Sequence, residues 1–162
     1  MSAFPKHNMG AWVEIDLKAV RHNFRQIRRL ALEQLEPRVN RDVDILAVVK
    51  ADSYGHGMVE VSRVLEREGC RFFAVSDLNE AVSLRLSGNK RRIVLFETTL
   101  PGQAPELVKY ELTPSVCTMP MARALDRYAR RARKKLPVHI KIDTGMGRLG
   151  VWHMYAVDFV RD

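Results

Sequence analysis

A chain of 162 residues, 46% hydrophobic and 28% charged with no low-complexity tract, is long enough for one domain with a sizeable core and is unlike a disordered or fibrous protein. No apolar run approaches the ~20 residues of a membrane span, and the opening MSAFPKHNMGAW lacks the apolar segment of a secretory signal. The 27 basic against 19 acidic residues give a net charge of +8, which raises nucleic acid as a partner until the placement of the arginines is considered.

The first predicted element is a helix over about 17–35. Leu17, Val20, Phe24, Ile27 and Leu30 recur at helical spacing and face inward, while Lys18, Arg21, Arg25 and Arg28 face out. Apolar strands and amphipathic helices then alternate. Strands are expected at 43–49 (VDILAVV), 71–75 (RFFAV), 92–96 (RIVLF), near 112–116 (LTPSV) and at 138–142 (VHIKI). Helices fall between them at about 57–68, 77–87, 103–110 and 119–134, with a further apparent helix in HMYAVDFVRD. Gly69 and Gly88 stand where left-handed caps stop the first two, and Asp77 with Glu80 forms a capping pair at the start of the second.

In MARALDRYARRARKKLP, Ala122, Leu125, Ala129, Ala132 and Leu136 make one apolar stripe, and Arg123, Arg127, Arg130, Arg131 and Lys134 lie off it. Those cations read as a solvated helix face, so no nucleic-acid partner is expected. Cys70 and Cys117 lack CxxC or metal-like spacing and read as reduced thiols of a cytoplasmic protein, with no metal site.

Strand followed by helix at this spacing implies an α/β fold whose parallel sheet has right-handed crossovers. Strands such as ILAVV, apolar on both faces, are expected to be covered on both sides. A barrel and a doubly wound sheet both satisfy the pattern. Both put chemistry at the C-terminal ends of the strands.

Two segments stand at such ends. In ILAVVKADSYGHG, a solid aliphatic strand ends on Lys50 and enters a loop carrying Tyr54 and His56 between glycines. A lysine there is either an ordinary strand terminus or an amine whose burial makes it a nucleophile. In VHIKIDTGMGRLG, alternation puts Val138, Ile140 and Ile142 on one face and His139, Lys141 and Asp143 on the other. Three polar groups sharing a covered face should line a wet or occupied site, or pair with one another. The turn at Thr144, Gly145, Met146 and Gly147 then delivers Arg148, suited to an anionic oxygen or a carboxylate, or to an ion pair with Asp143.

These residues resemble the N-terminal half of the alanine racemases, which use pyridoxal 5′-phosphate (PLP) on an eight-stranded α/β barrel. WVEIDLKAVRHNF is similar to that family's opening, AVVKADSYGHG to its PLP-lysine motif and KIDTGMGRLG to its second motif, over about residues 11–152. Ser53 departs from the glycine or alanine usual at its position. The resemblance implies that Lys50 carries PLP as a Schiff base and moves the α-proton on one face of the substrate. It implies that Tyr54 lies by the cofactor phosphate and that Arg148 faces the cofactor's phenolic oxygen and the substrate carboxylate. Lys141 matches a position often N-carboxylated in the family. An unmodified lysine near Arg148 would set two like charges together, whereas a carbamate would orient the guanidinium.

For the complete protein the resemblance implies a PLP-dependent interconversion of L- and D-alanine that supplies D-alanine for peptidoglycan, in a cytoplasmic homodimer. A (β/α)8 barrel of the TIM type takes about 250 residues, and five strands are expected here. Residues 1–162 are thus expected to form a partial barrel with a leading helix and no C-terminal β domain, a fragment inactive alone. Two other readings fit less of the motif pair. One is another PLP barrel of the same fold type, a PLP carrier or a D-amino-acid aldolase. The other is a non-catalytic remnant that binds a partner through its basic helix.

Overall fold

The computed structural model describes residues 10–33 and 43–162. The opening stretch 1–9 and the last two positions of the expected first helix, 34 and 35, lie outside the described residues. Helix α1 (Leu17–Glu33) leads, followed by strand β1 (Leu46–Val48) and a short segment α2 (Lys50–Gly55). Helix α3 (Met58–Arg67), β2 (Phe72–Val75), α4 (Leu78–Leu86), β3 (Arg92–Thr98), α5 (Ala104–Lys109), β4 (Thr113–Val116) and α6 (Met119–Arg131) continue the alternation. The chain closes with β5 (His139–Ile140), β6 (Ile142–Asp143), β7 (Val151–Trp152) and α7 (Ala156–Arg161).

β1 to β5 form one sheet in the order of the sequence, every neighbouring pair parallel. Sequential parallel order is what a barrel requires, and a doubly wound sheet would reverse direction along its edge. The alternative left open by the βα rhythm is thereby decided. Helix ends follow the glycines: Gly69 and Gly88 take φ of +88° and +98°, and the Cys70 N–H returns to the Leu65 carbonyl at 2.9 Å, closing α3.

Side-chain parity divides the sheet. Ala47, Val49, Phe73, Val75, Ile93, Leu95 and Val116 are buried in the core cluster, together with Leu65, Leu84, Leu107 and Met121 from the helices. Each such large side chain, withdrawn from water, contributes about 1.5–3 kcal/mol. The opposite parity gives the inner face, with Val48, Ala74, Val94 and Thr113 in register across four strands. On β1 that face is not covered: Leu46 and Val48 are 39% and 37% exposed. The expected burial on both sides therefore holds for β2 to β4 and fails for the edge strands, β1 with its open inner face and β5 with both residues exposed.

Three further expectations are corrected. On α1, Phe24 is buried, but Ile27 and Leu30 are 57% and 50% exposed because the helix meets α3 mainly through its first half. Arg25 pairs with Glu68 at 2.6 Å at that contact. On α6 the buried stripe is Met121, Ala124, Leu125 and Ala129, and the helix ends at Arg131, so Ala132 is exposed. The arginines of this helix are exposed, and Arg130 pairs with Asp126 one turn away.

The expected strand 138–142 is broken. His139–Ile140 pairs with β4, while Ile142–Asp143 leaves to pair in parallel with β7. Lys141 is the junction: its N–H donates to the Val116 carbonyl at 3.0 Å and its carbonyl accepts the Val151 N–H at 2.8 Å. Gly150 permits the exchange. Its φ is +129°, and a Cβ there would lie 2.7 Å from the Asp143 nitrogen. Gly150→Ala should therefore lower stability by about 1–3 kcal/mol or more, measured by urea denaturation, and should release the β6–β7 pair first, seen as faster amide exchange at Val151. An alanine accepted at no cost would refute this close approach.

Candidate active site

Lys50 follows β1 after Val49, at the C-terminal rim of the sheet. The next residues are not an irregular loop. Ala51, Asp52, Ser53 and Tyr54 have φ between +49° and +55°, a turn of left-handed helix built without glycine. Each such residue sets its Cβ against the following carbonyl at a cost of roughly 1–2 kcal/mol. Strain of this kind persists only where the surroundings over-determine it.

The bonds that hold it are specific. The Ser53 N–H donates to the Val49 carbonyl at 2.9 Å and the Gly57 N–H to the Asp52 carbonyl at 2.9 Å. Asp52 Oδ1 accepts the Met58 N–H at 2.7 Å, joining the turn to the start of α3. His56 Nδ1 lies 2.9 Å from the Ser53 carbonyl and 3.2 Å from that of Tyr54. Two carbonyls cannot donate, so the proton sits on Nδ1. From outside, Glu80 accepts the Ala51 N–H at 2.7 Å.

The turn presents a polar set with few internal partners. Tyr54 is 62% exposed, and Lys50 Nζ stands 6.0 Å from the centre of its ring. Lys50 makes no ion pair among the described residues. Ser53 is buried, with its hydroxyl unpartnered among them.

The second segment reaches the same rim from β5. Lys141 is half-buried and its Nζ donates to the Phe96 carbonyl at 2.5 Å, above the Phe96 ring. His139 is exposed on the edge strand β5 and Asp143 belongs to the separate β6–β7 pair, so the three expected polar neighbours do not share a covered face. Asp143 does not pair with Arg148. Its Oδ1 accepts the N–H groups of Gly145 at 2.9 Å and Gly147 at 3.1 Å, which hold its carboxyl below the usual aspartate range. Arg148 is left exposed and without an ion pair among the described residues. β1 and β5 are the two edges of the five-stranded sheet, so Lys50 and Lys141 stand at the ends of its two outer strands.

A primary amine, a phenol and a guanidinium at one strand-end rim suit a ligand that carries an aldehyde, a phosphate and a carboxylate. Sequence reasoning found these groups and missed the left-handed turn and Glu80. Only the capping spacing at Asp77 hinted at the latter.

A sheet of parallel strands in sequence order is the beginning of a (β/α)8 barrel. Residues 15–162 match the family model described as alanine racemase, N-terminal domain, and the chain belongs to that family. It is 39% identical over 142 residues to an alanine racemase of Carboxydothermus hydrogenoformans, covering 88% of this chain and 36% of the relative. It is 43% identical over 141 residues to one of Syntrophobacter fumaroxidans, covering 87% and 36%. The solved alanine racemase of Clostridium difficile 630 superposes with a TM-score of 0.82 at 33% identity, over 93% of this chain and 37% of that one. The chain thus spans little more than a third of the length of these relatives, and its five-stranded sheet corresponds to part of the barrel of their N-terminal domain.

The depressed pKa of Asp143 has a pH consequence. A carboxyl lowered in the folded state contributes stability in full above its unfolded value, about 3.9, and loses it as pH falls through the folded value. The amide proton shifts of Gly145 and Gly147 should titrate together with a midpoint below 3.9, followed by NMR. A midpoint at or above that value would contradict these bonds.

Proposed function

We propose that this chain supplies the cofactor lysine and the first half of the barrel of an alanine racemase that interconverts L- and D-alanine with PLP. In this reading residues 1–162 are the N-terminal part of the barrel domain, and the complete protein is a homodimer that also has a C-terminal β domain. The observation that carries it is Lys50 at the end of β1, without an ion pair among the described residues and held by a strained turn, in a chain of the alanine racemase family.

The residues fit the cofactor by their chemistry. Lys50 offers the only type of side chain that bonds an aldehyde reversibly as an imine. Tyr54, exposed on the turn, would donate to a phosphate oxygen. Arg148, exposed at the same rim, would hold an anionic oxygen or the substrate carboxylate. When bound, PLP serves as an electron sink that stabilises charge at the α-carbon. Lys50 then holds or moves the proton on one face of that carbon. Lys141 lies on the segment that delivers Arg148, and as a carbamate it would orient the guanidinium by opposite charge in place of like charge. Among the described residues no helix is long and apolar enough to cross a membrane, and Cys70 and Cys117 are free. The reading places the complete protein in the cytoplasm, where it would supply D-alanine for peptidoglycan.

In the complete protein, Lys50→Ala should abolish both the visible absorption of lysine-bound PLP and racemisation. A variant that still racemised alanine at a comparable rate would disprove the assignment. Arg148→Ala should lower turnover by the equivalent of about 2–4 kcal/mol while PLP remains bound, as for other lost charge-stabilising donors. Lys141→Ala should lose activity that an added carboxylate partly restores. Full activity without additive would count against the carbamate.

A further inference from the structure

Asp77 and Glu80 have the spacing of a capping box, and one half of it forms: Asp77 Oδ1 accepts the Glu80 N–H at 3.0 Å. The reciprocal half would return the Glu80 carboxylate to the Asp77 N–H. It goes elsewhere. Oε2 of Glu80 accepts the Ser76 N–H at 2.7 Å, just past the end of β2. Oε1 accepts the Ala51 N–H, also at 2.7 Å, just past the end of β1. One half-buried carboxylate therefore bridges the C-terminal ends of two adjacent strands.

The Ala51 N–H belongs to the peptide plane that links the Lys50 Cα to the turn. Fixing that plane sets ψ of Lys50 and φ of Ala51 together, and so sets the direction in which the Lys50 backbone leaves the strand. Ala51 is also the first left-handed residue, at φ +49°. With its N–H released, the residues from Ala51 to Tyr54 gain by falling back to the right-handed well. Both Glu80 oxygens are committed to backbone N–H groups, so the carboxylate holds the lysine's backbone without consuming its amine.

We propose that Glu80 is a positioning residue for Lys50: its diverted carboxylate locks the left-handed turn that aims the lysine at the barrel mouth. The proposal rests on the reading of Lys50 as the PLP lysine. A residue that served only α4 would have no need of a partner in the turn after β1.

The test uses the 162-residue chain and Glu80→Gln, which keeps the shape but replaces one accepting oxygen with an amide nitrogen that cannot accept. Amide hydrogen exchange at Ala51 and Ser76 is read without any ligand. Separately, the chain is treated with PLP and sodium borohydride. An amine and the aldehyde condense with loss of water, hydride fixes the product as a secondary amine, and peptide mapping gives the share carried by Lys50. Glu80→Gln should raise exchange at Ala51 about tenfold, equivalent to about 1.4 kcal/mol, and should lower the Lys50 share relative to Lys18 and Lys109. Glu80→Asp, too short to span both N–H groups, should do the same. Asp77→Ala removes the cap of the same helix without touching Ala51 and should leave the Lys50 share unchanged. Equal losses in Asp77→Ala and Glu80→Gln would reduce Glu80 to a helix-stability role and overturn the proposal. So would an Ala51 amide indifferent to Glu80→Gln while Lys50 remains the preferred lysine. No preference for Lys50 in the unaltered chain would overturn the PLP-lysine reading itself, and the proposal with it.

Discussion

The left-handed turn from Ala51 to Tyr54 is the constraint on which the site depends. Four residues in that conformation without glycine cost roughly 4–8 kcal/mol in all, comparable with the whole stability of a typical domain. Bonds from the turn to Val49, to Met58 at the start of α3 and to Glu80 on α4 offset that cost locally. Burial of the helix-facing core offsets it globally. A right-handed turn would carry Tyr54 and Ser53 to different sides of the strand end. The strain therefore orients the groups beside Lys50, and the rest of the sheet keeps the turn from relaxing.

The two ends of the sheet are built differently. At the N-terminal end, Arg85 donates to the carbonyls of Asn89, Arg91, Tyr110 and Glu111, and burial pushes its guanidinium below its ordinary pKa. Arg71 pairs with Asp44, Arg91 with Glu66 and Lys134 with Glu111 around it. Exposed pairs of this sort contribute little singly, but together they tie helix ends to strand starts. At the C-terminal rim, among the described residues, Lys50 and Arg148 have no ion pair.

Most of the fold was legible because it rests on periodicity. β2, β3 and β4 lie within a residue or two of the runs FFAV, RIVLF and LTPSV, and Gly69 and Gly88 mark the ends of α3 and α4. The strand order was not legible, since βα alternation serves a barrel and a doubly wound sheet alike, and only the register of β1 to β5 separates them. The motif pair pointed to Lys50, Tyr54, Lys141 and Arg148. What it could not carry is conformation. Of Ala-Asp-Ser-Tyr only Asp enters the left-handed well with any ease, and the turn is held by Asp52 reaching Met58 and by Glu80 reaching across 29 residues. The break of VHIKI at Lys141 depends likewise on Gly150, eight residues beyond that strand and packed against its end.

Ala51 provides the most direct test of the left-handed turn. Its side chain is exposed, so removing Cβ sacrifices no packing. In an ordinary right-handed helix Ala→Gly lowers stability by roughly 0.5–1 kcal/mol through chain entropy. At φ +49° the glycine instead relieves a clash worth roughly 1–2 kcal/mol. Equilibrium denaturation of the Ala51→Gly chain should therefore show stability unchanged or raised. A fall of about 1 kcal/mol would mean that Ala51 is not left-handed, and that Lys50 is not held in the way described.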